Sequence, residues 1–175
     1  MHIFNLPIIF LLQVFLYLDE ESQKKFSKVC KRFAKCWKMI VGRFLDFSSE
    51  WRTLEKFPLT CTEFACHVST KLSFRYCTKV KSFDFLPRLH LLKVIDLYGT
   101  NVRDLELNCI SKKIQLTAIN LGYCRKLTPD GIRDFLRTQV SLRGIGLASC
   151  GFEGSAVTNE VSRYIQKFKI EEKKL

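Results

Sequence analysis

The sequence has little glycine, proline or histidine: eight Gly, four Pro and three His among 175 residues. That shortage excludes a collagen-like fibre and a low-complexity linker. It contains no C-x-x-C pair, G-x-S-x-G, H-E-x-x-H or glycine-rich phosphate loop, so nothing marks a catalytic set, and no metal or cofactor is expected. Acidic residues are also under-represented. Seventeen Asp and Glu face 29 Lys and Arg, a net charge of +12, which excludes an acidic solvating tail and favours acidic partners or a simply solvated basic surface. Long apolar runs are missing too. The most apolar stretch, Ile8 to Leu18, is eleven residues interrupted by Gln13, whereas a bilayer needs about 20. It has no Lys or Arg before it, and Asp19-Glu20-Glu21 after it, so it reads as a helix of a folded domain rather than a secretory leader.

What is present is an ample core composition, 47% hydrophobic and 13% aromatic. Eight cysteines in a chain of this length, with no leader, read as reduced thiols in the cytosol or nucleus rather than a disulfide framework.

The first forty residues predict three helices. Pro7 suits the first helical position. Leu11, Val14, Phe15 and Leu18 lie on one face, and Ile8, Ile9, Leu12 and Leu16 cover much of the rest. Asp19 is placed to cap a second helix, with Glu20 and Glu21 in its first turn. Val29, Phe33 and Trp37 recur at i, i+4, i+8 in a third helix ending near Gly42. A helix apolar all round must be buried all round, yet a unit of about forty residues cannot surround it alone. Its second face therefore belongs against either the rest of this chain or a partner. The basic residues Lys24, Lys25, Lys28, Lys31, Arg32, Lys35, Lys38 and Arg43 form a solvated face or complement an acidic partner protein. No zinc finger, helix-turn-helix or aromatic RNA-binding signature supports nucleic acid.

Past residue 42 the period changes. Leu92-Lys93-Val94-Ile95-Asp96-Leu97, Leu116-Thr117-Ala118-Ile119-Asn120-Leu121 and Leu142-Arg143-Gly144-Ile145-Gly146-Leu147 superpose as L-x-x-I-x-L, and Thr100, Cys124 and Cys150 stand three residues past the last Leu. The steps are 24 residues (97 to 121) and 26 residues (121 to 147). Weaker copies lie at Leu72-x-Phe74-x-x-Cys77 and Leu45-x-Phe47. Thr128 and Pro129 open a helix between repeats, and Ser155 to Phe168 predicts a closing helix.

On these residues the two halves resemble known families. Leu6-Pro7, Leu11 or Leu12, Val14-Phe15-x-Tyr17-Leu18-Asp19 and Ser27-x-Val29-Cys30-Lys31-Arg32-Phe33 resemble an F-box. The L-x-x-I-x-L frames with Cys after the strand resemble the cysteine-containing class of leucine-rich repeats. The fold expected is α/β: a three-helix F-box at 1–42, then a short leucine-rich-repeat solenoid at 43–170 with parallel strands on the concave face and helices or turns on the convex one, and a charged tail at 171–175. The resemblance implies the substrate-recognition subunit of a Skp–cullin–F-box ubiquitin ligase, non-catalytic, cytoplasmic or nuclear, and not membrane-bound. Leu6, Pro7, Leu11, Leu12, Val14, Phe15 and Leu18 would bind the Skp-type adaptor and through it a cullin–RING ligase.

An unknown protein substrate would meet the strand residues that alternate with the core, Asp96, Tyr98, Asn120, Gly122, Gly146 and Ala148, with Arg75 in the weaker upstream copy and Tyr123 and Ser149 at the strand ends. A repeat scaffold without a ubiquitin role is the alternative. There the first helix would cap the solenoid and leave no apolar face outward. Cys77, Cys124 and Cys150 read as small buried hydrophobes at the turn. Cys61-x4-Cys66-His67 is the nearest approach to a metal site.

Overall fold

A computed structural model describes residues 8–41, 43–48, 54, 69–151 and 159. Leu6, Pro7, the Cys61–Cys66–His67 cluster and, apart from helical Asn159, the expected closing helix lie outside the described residues.

Three helices open the chain: α1 (Ile8–Leu16), α2 (Glu20–Ser27) and α3 (Lys31–Val41). The Asp19 carboxylate accepts the Ser22 N–H at 2.8 Å and so caps α2. That bond holds the Asp19 carboxyl below its usual pKa. Gln23 reaches back over the end of α1, its amide donating to the carbonyls of Phe15 (2.8 Å) and Leu18 (2.9 Å). The Phe15 carbonyl also accepts the Leu18 N–H at 3.1 Å, and the Leu18 carbonyl lies just past the helix end, where backbone acceptors lack helical partners. The third helix begins at Lys31, after Val29, so Val29 leaves the apolar face expected of it and is 59% exposed. Phe33 and Cys36 of the same face are buried.

Five parallel strands follow: β1 (Phe44–Asp46), β2 (Lys71–Ser73), β3 (Val94–Asp96), β4 (Ala118–Asn120) and β5 (Gly144–Gly146). Each pairs with the next in chain order. The register stacks Leu45, Leu72, Ile95, Ile119 and Ile145 into one buried column. Strand geometry turns their neighbours to the opposite face, which puts Asp46, Ser73, Asp96, Asn120 and Gly146 in a second column. A 3-10 turn (Leu86–Arg88) leads into β3, α4 (Asp104–Lys113) links β3 to β4, and α5 (Pro129–Thr138) links β4 to β5. Thr128 caps α5 by accepting the Gly131 N–H, and its own N–H and hydroxyl donate to Asp104 on α4. Residue 128 thus ties one inter-strand helix to the next.

One contiguous cluster of buried apolar side chains runs from Leu11 through the strand column to Cys150. Helix α3 packs on β1, and α1 packs on α3. The second face of α1 is therefore covered from within this chain at Leu11, Leu12 and Phe15, all buried. Standing open to a partner was one of two outcomes the sequence allowed for these three; the structure takes the other.

Candidate functional site

Two surfaces are built by this fold. The first is the outer side of α1. The Phe15 ring is fully buried, 5.4 Å from Phe33 and 6.5 Å edge-on from Phe26. With Leu11 and Leu12 it faces inward, so these residues position α1 and are not surface in the free chain. Val14, one of the seven expected contact residues, is exposed, and Leu18 is half-buried. Tyr17, in the turn just past α1, is 84% exposed. Val29 is exposed too, and Phe26 is 40% exposed although its ring packs edge-on against Phe15 and Phe33. Within α1 the pattern could not separate inner from outer residues, because its one polar residue, Gln13, is itself half-buried and does not mark the outer side.

The second surface is the row of turns that follow the strands. Its geometry repeats. Carboxylate or amide oxygens of the outer column fold back onto the chain: Asp46 accepts from Ser48 N–H (2.9 Å), Asp96 from Tyr98 N–H (3.0 Å) and Asn120 from Gly122 N–H (3.1 Å). The ladder continues past the strands, with Tyr76 N–H to the Tyr98 carbonyl (2.7 Å), Gly99 N–H to Gly122 (2.8 Å) and Tyr123 N–H to Ala148 (2.8 Å). One residue per turn then takes a positive φ: Tyr76 (62°), Gly99 (67°), Tyr123 (60°) and Ser149 (56°). Glycine adopts this without cost, whereas a bulky side chain there is strained by about 1–2 kcal/mol. Immediately afterwards a small side chain enters the core. Cys77 donates its thiol to the Phe47 carbonyl (3.4 Å), Cys124 to Leu97 (3.0 Å), Cys150 to Leu121 (2.9 Å), and Thr100 its hydroxyl to Leu97 (2.8 Å). The cysteines are thus buried donors as well as hydrophobes. Burial pushes the Cys124 thiol up to about 11 and the Cys36 thiol up to about 12.

The burial of these four thiols carries an expected result. A thiolate is the reactive form, so maleimide at neutral pH should label exposed Cys109 at least about tenfold faster than Cys36, Cys77, Cys124 or Cys150. Site-resolved peptide mapping measures this. Equal rates would mean the turn row is open.

On the row sits an aromatic and cationic ledge. The Arg75 guanidinium lies over the Tyr98 ring at 4.3 Å and reaches the Tyr76 ring at 5.4 Å, while Asp96 holds it at 3.6 Å. Tyr76 and Tyr98 meet edge to face (5.3 Å), Tyr98 and Tyr123 are tilted (5.7 Å), and Arg125 lies over Tyr123 at 5.2 Å. Partial burial and the neighbouring Tyr76 raise the Tyr98 phenol's pKa. The rings fit because glycines stand beneath them. A Cβ at Gly99 would lie 2.8 Å from the Tyr76 ring, and one at Gly122 would lie 2.7 Å from the Tyr98 ring.

Of the expected substrate residues, Arg75, Tyr98 and Tyr123 come together here. Asp96 and Asn120 are half-buried and engaged in their turns. Gly146 is half-buried, and Ala148 and Ser149 are exposed on the last turn. Gly122 is buried under Tyr98, so the expectation that it offers surface is corrected. Tyr76, Arg125, Lys79 and Lys126 were not expected, although Tyr76-Cys77-Thr78-Lys79 and Tyr123-Cys124-Arg125-Lys126 repeat as Y-C-x-K. Beyond the ledge, Thr78, Lys79, Val80, Lys81, Asn101, Arg103 and Lys126 line an open basin of about 260 Å³.

Among the described residues, no group of His, Cys, Asp and Glu could hold a metal ion, and no helix is long and apolar enough to cross a membrane. Compared with known proteins, no curated protein matches the chain. The F-box domain family matches residues 3–45. Such domains in general bind the Skp-type adaptor of Skp–cullin–F-box ubiquitin ligases, and proteins that carry them are in general non-catalytic adaptors.

Proposed function

We propose that this chain is a substrate receptor of a Skp–cullin–F-box ubiquitin ligase, in which the F-box docks the adaptor and residues 43–170 act as leucine-rich repeats that hold the substrate. The observation that carries the reading is the F-box match over α1–α3 together with uncovered apolar side chains on that unit, Val14, Tyr17, Phe26 and Val29. A receptor of this kind makes no covalent bond. It raises the effective concentration of substrate lysines beside the charged conjugating enzyme. In this reading Val14 and Leu18, with Leu6 and Pro7 ahead of α1, meet the adaptor, and Leu11, Leu12 and Phe15 hold α1 in place for them. The recurring L-x-x-I-x-L frames support the repeat assignment. The chain would act in cytoplasm or nucleus, consistent with the free cysteines among the described residues.

Capture of a Skp-type adaptor by the full chain tests this. Val14→Asp with Tyr17→Asp should weaken capture at least about tenfold and leave the circular-dichroism melt unchanged, because both side chains face solvent. A well-folded monomeric wild type that ignores the adaptor would overturn the proposal. The alternative, a protein-binding scaffold without ubiquitin chemistry, is favoured by one observation: α1 is sheathed at Leu11, Leu12 and Phe15 by this chain. Against it, the helix seated on β1 is α3 rather than α1, and Val14 of α1 and Tyr17 in the turn after it stay exposed.

A further inference from the structure

We propose that the ledge after the strands docks an acidic, extended segment of a partner protein, which lies along the Tyr76 and Tyr123 rings and seats its carboxylates in the basin of Lys79, Arg103 and Lys126. This rests on reading the repeat half as the partner-binding part of the receptor.

Three independent features point the same way. The turn geometry demands a positive φ once per repeat, and Gly99 meets the demand without strain. At Tyr76 and Tyr123 the chain instead holds a large aromatic residue there, with rings 46% and 42% exposed. Strain that is retained at a surface ring, and not relieved by glycine, marks a site where the ring is used. The second feature is charge. The basin draws cations from three successive turns, and no carboxylate lines it. Arg103 is paired with Glu106 at 2.8 Å, but Lys79 and Lys126 have no acidic partner among the described residues. Converging like charges are not needed for the core beneath them, and they raise the local concentration of an anion. The third is repetition. Tyr76 and Lys79 recur in frame as Tyr123 and Lys126, two turns along the row, so ring and cation are presented in the same order twice.

The geometry favours a polypeptide over nucleic acid. Base stacking needs open ring faces. Here Arg75 lies over Tyr98 and reaches Tyr76, and Arg125 lies over Tyr123, so each ring already has a guanidinium against it. With strands about 4.8 Å apart, three turns span roughly 10 Å. That length matches a few carboxylates on an extended chain rather than a long phosphate backbone.

The experiment uses the full chain and a fluorescein-labelled twelve-residue peptide of alternating glutamate and proline, extended and anionic, followed by anisotropy at low salt. Saturable binding is expected. Lys79→Glu with Lys126→Glu, and separately Lys79→Gln with Lys126→Gln, should weaken it at least about tenfold and about threefold. Tyr76→Gly with Tyr123→Gly, which keeps the turn conformation and removes the rings, should weaken it at least about threefold. Lys112→Glu with Lys113→Glu, the same charge change on α4, should leave it within twofold. All variants should still capture the Skp-type adaptor, so failure of the ledge and failure of the receptor reading are read on separate assays. The proposal is overturned by a wild type that does not bind the peptide, by equal loss in the α4 control, or by a single-stranded oligouridylate that binds more tightly and loses affinity in the same Lys79 and Lys126 variants.

Discussion

Phe15→Ala should unfold the helical N-terminal unit, not trim a contact surface. The ring is fully buried, packs against Phe33 and Phe26, and sits beneath a helix end whose last carbonyls are closed by Gln23. Truncating a buried phenylalanine to alanine costs about 3–5 kcal/mol through lost transfer energy and the cavity left behind. In a chain of this size that lowers the melting temperature by on the order of 10 °C, and total stabilities of about 5–15 kcal/mol leave little margin. Adaptor capture should fall with the folded fraction, so it should recover on cooling or with a stabilising osmolyte. The Val14 and Tyr17 variants lose capture while folded. A Phe15→Ala chain that melts within about 2 °C of wild type yet fails to bind the adaptor would place that ring on the surface and reverse the assignment of inner and outer residues on α1.

The same helix shows where the sequence was legible. Its existence, its all-apolar character and the Asp19 cap could be read directly, since capping and period are local properties. Which side faces out could not. That is decided by α3, whose Phe33 and Cys36 approach from one direction, and by α3 in turn resting on β1. Val29 shows the limit of a period argument. It continues the i, i+4 series in the sequence, but the helix starts two residues later, so it belongs to no helical face.

In the second half, the register of the strands was legible because the apolar central residue of each frame must point inward, and a one-residue slip would expose it. Helix α5 was legible from Thr128 and Pro129. Helix α4 carries no comparable start signal. Its N-terminus at Arg103 is closed by Glu106, whose carboxylate accepts the Arg103 N–H at 3.0 Å, and a Glu three residues into a helix is too common to be diagnostic without a Ser, Thr or Asp before it. The ledge was half legible. Alternation selects outward strand residues, and it found Arg75 and Tyr98, while Tyr123 was placed at a strand end. Tyr76 lies within a turn, past the reach of alternation, in the same frame position as Tyr123, and the Y-C-x-K repetition is the signal that links the two.

Gln139→Leu is expected to be among the most damaging single substitutions in the parallel-sheet half, although its shape is nearly conserved. Gln139 is fully buried at the end of α5. Its amide oxygen accepts the Leu116 N–H at 2.8 Å, and its amide nitrogen donates to the carbonyls of Ile114 at 2.9 Å and Ser111 at 3.4 Å. One side chain thereby closes the C-terminal end of α4 and the entry to β4, twenty-three residues upstream. Leucine fills the same volume but accepts and donates nothing. A buried donor or acceptor left without a partner costs about 1–3 kcal/mol, so losing this set should destabilise by roughly 3–5 kcal/mol in chemical denaturation. Glutamate should be worse still, because it turns acceptor oxygen toward carbonyl oxygen and invites a buried charge. Hydrogen exchange gives the local readout: the Leu116 amide should exchange at least about a hundredfold faster in the leucine variant, ahead of amides in β2. If Gln139→Leu unfolds at the wild-type denaturant midpoint, this network is dispensable, and the apolar column of Leu45, Leu72, Ile95, Ile119 and Ile145 holds the turns without it.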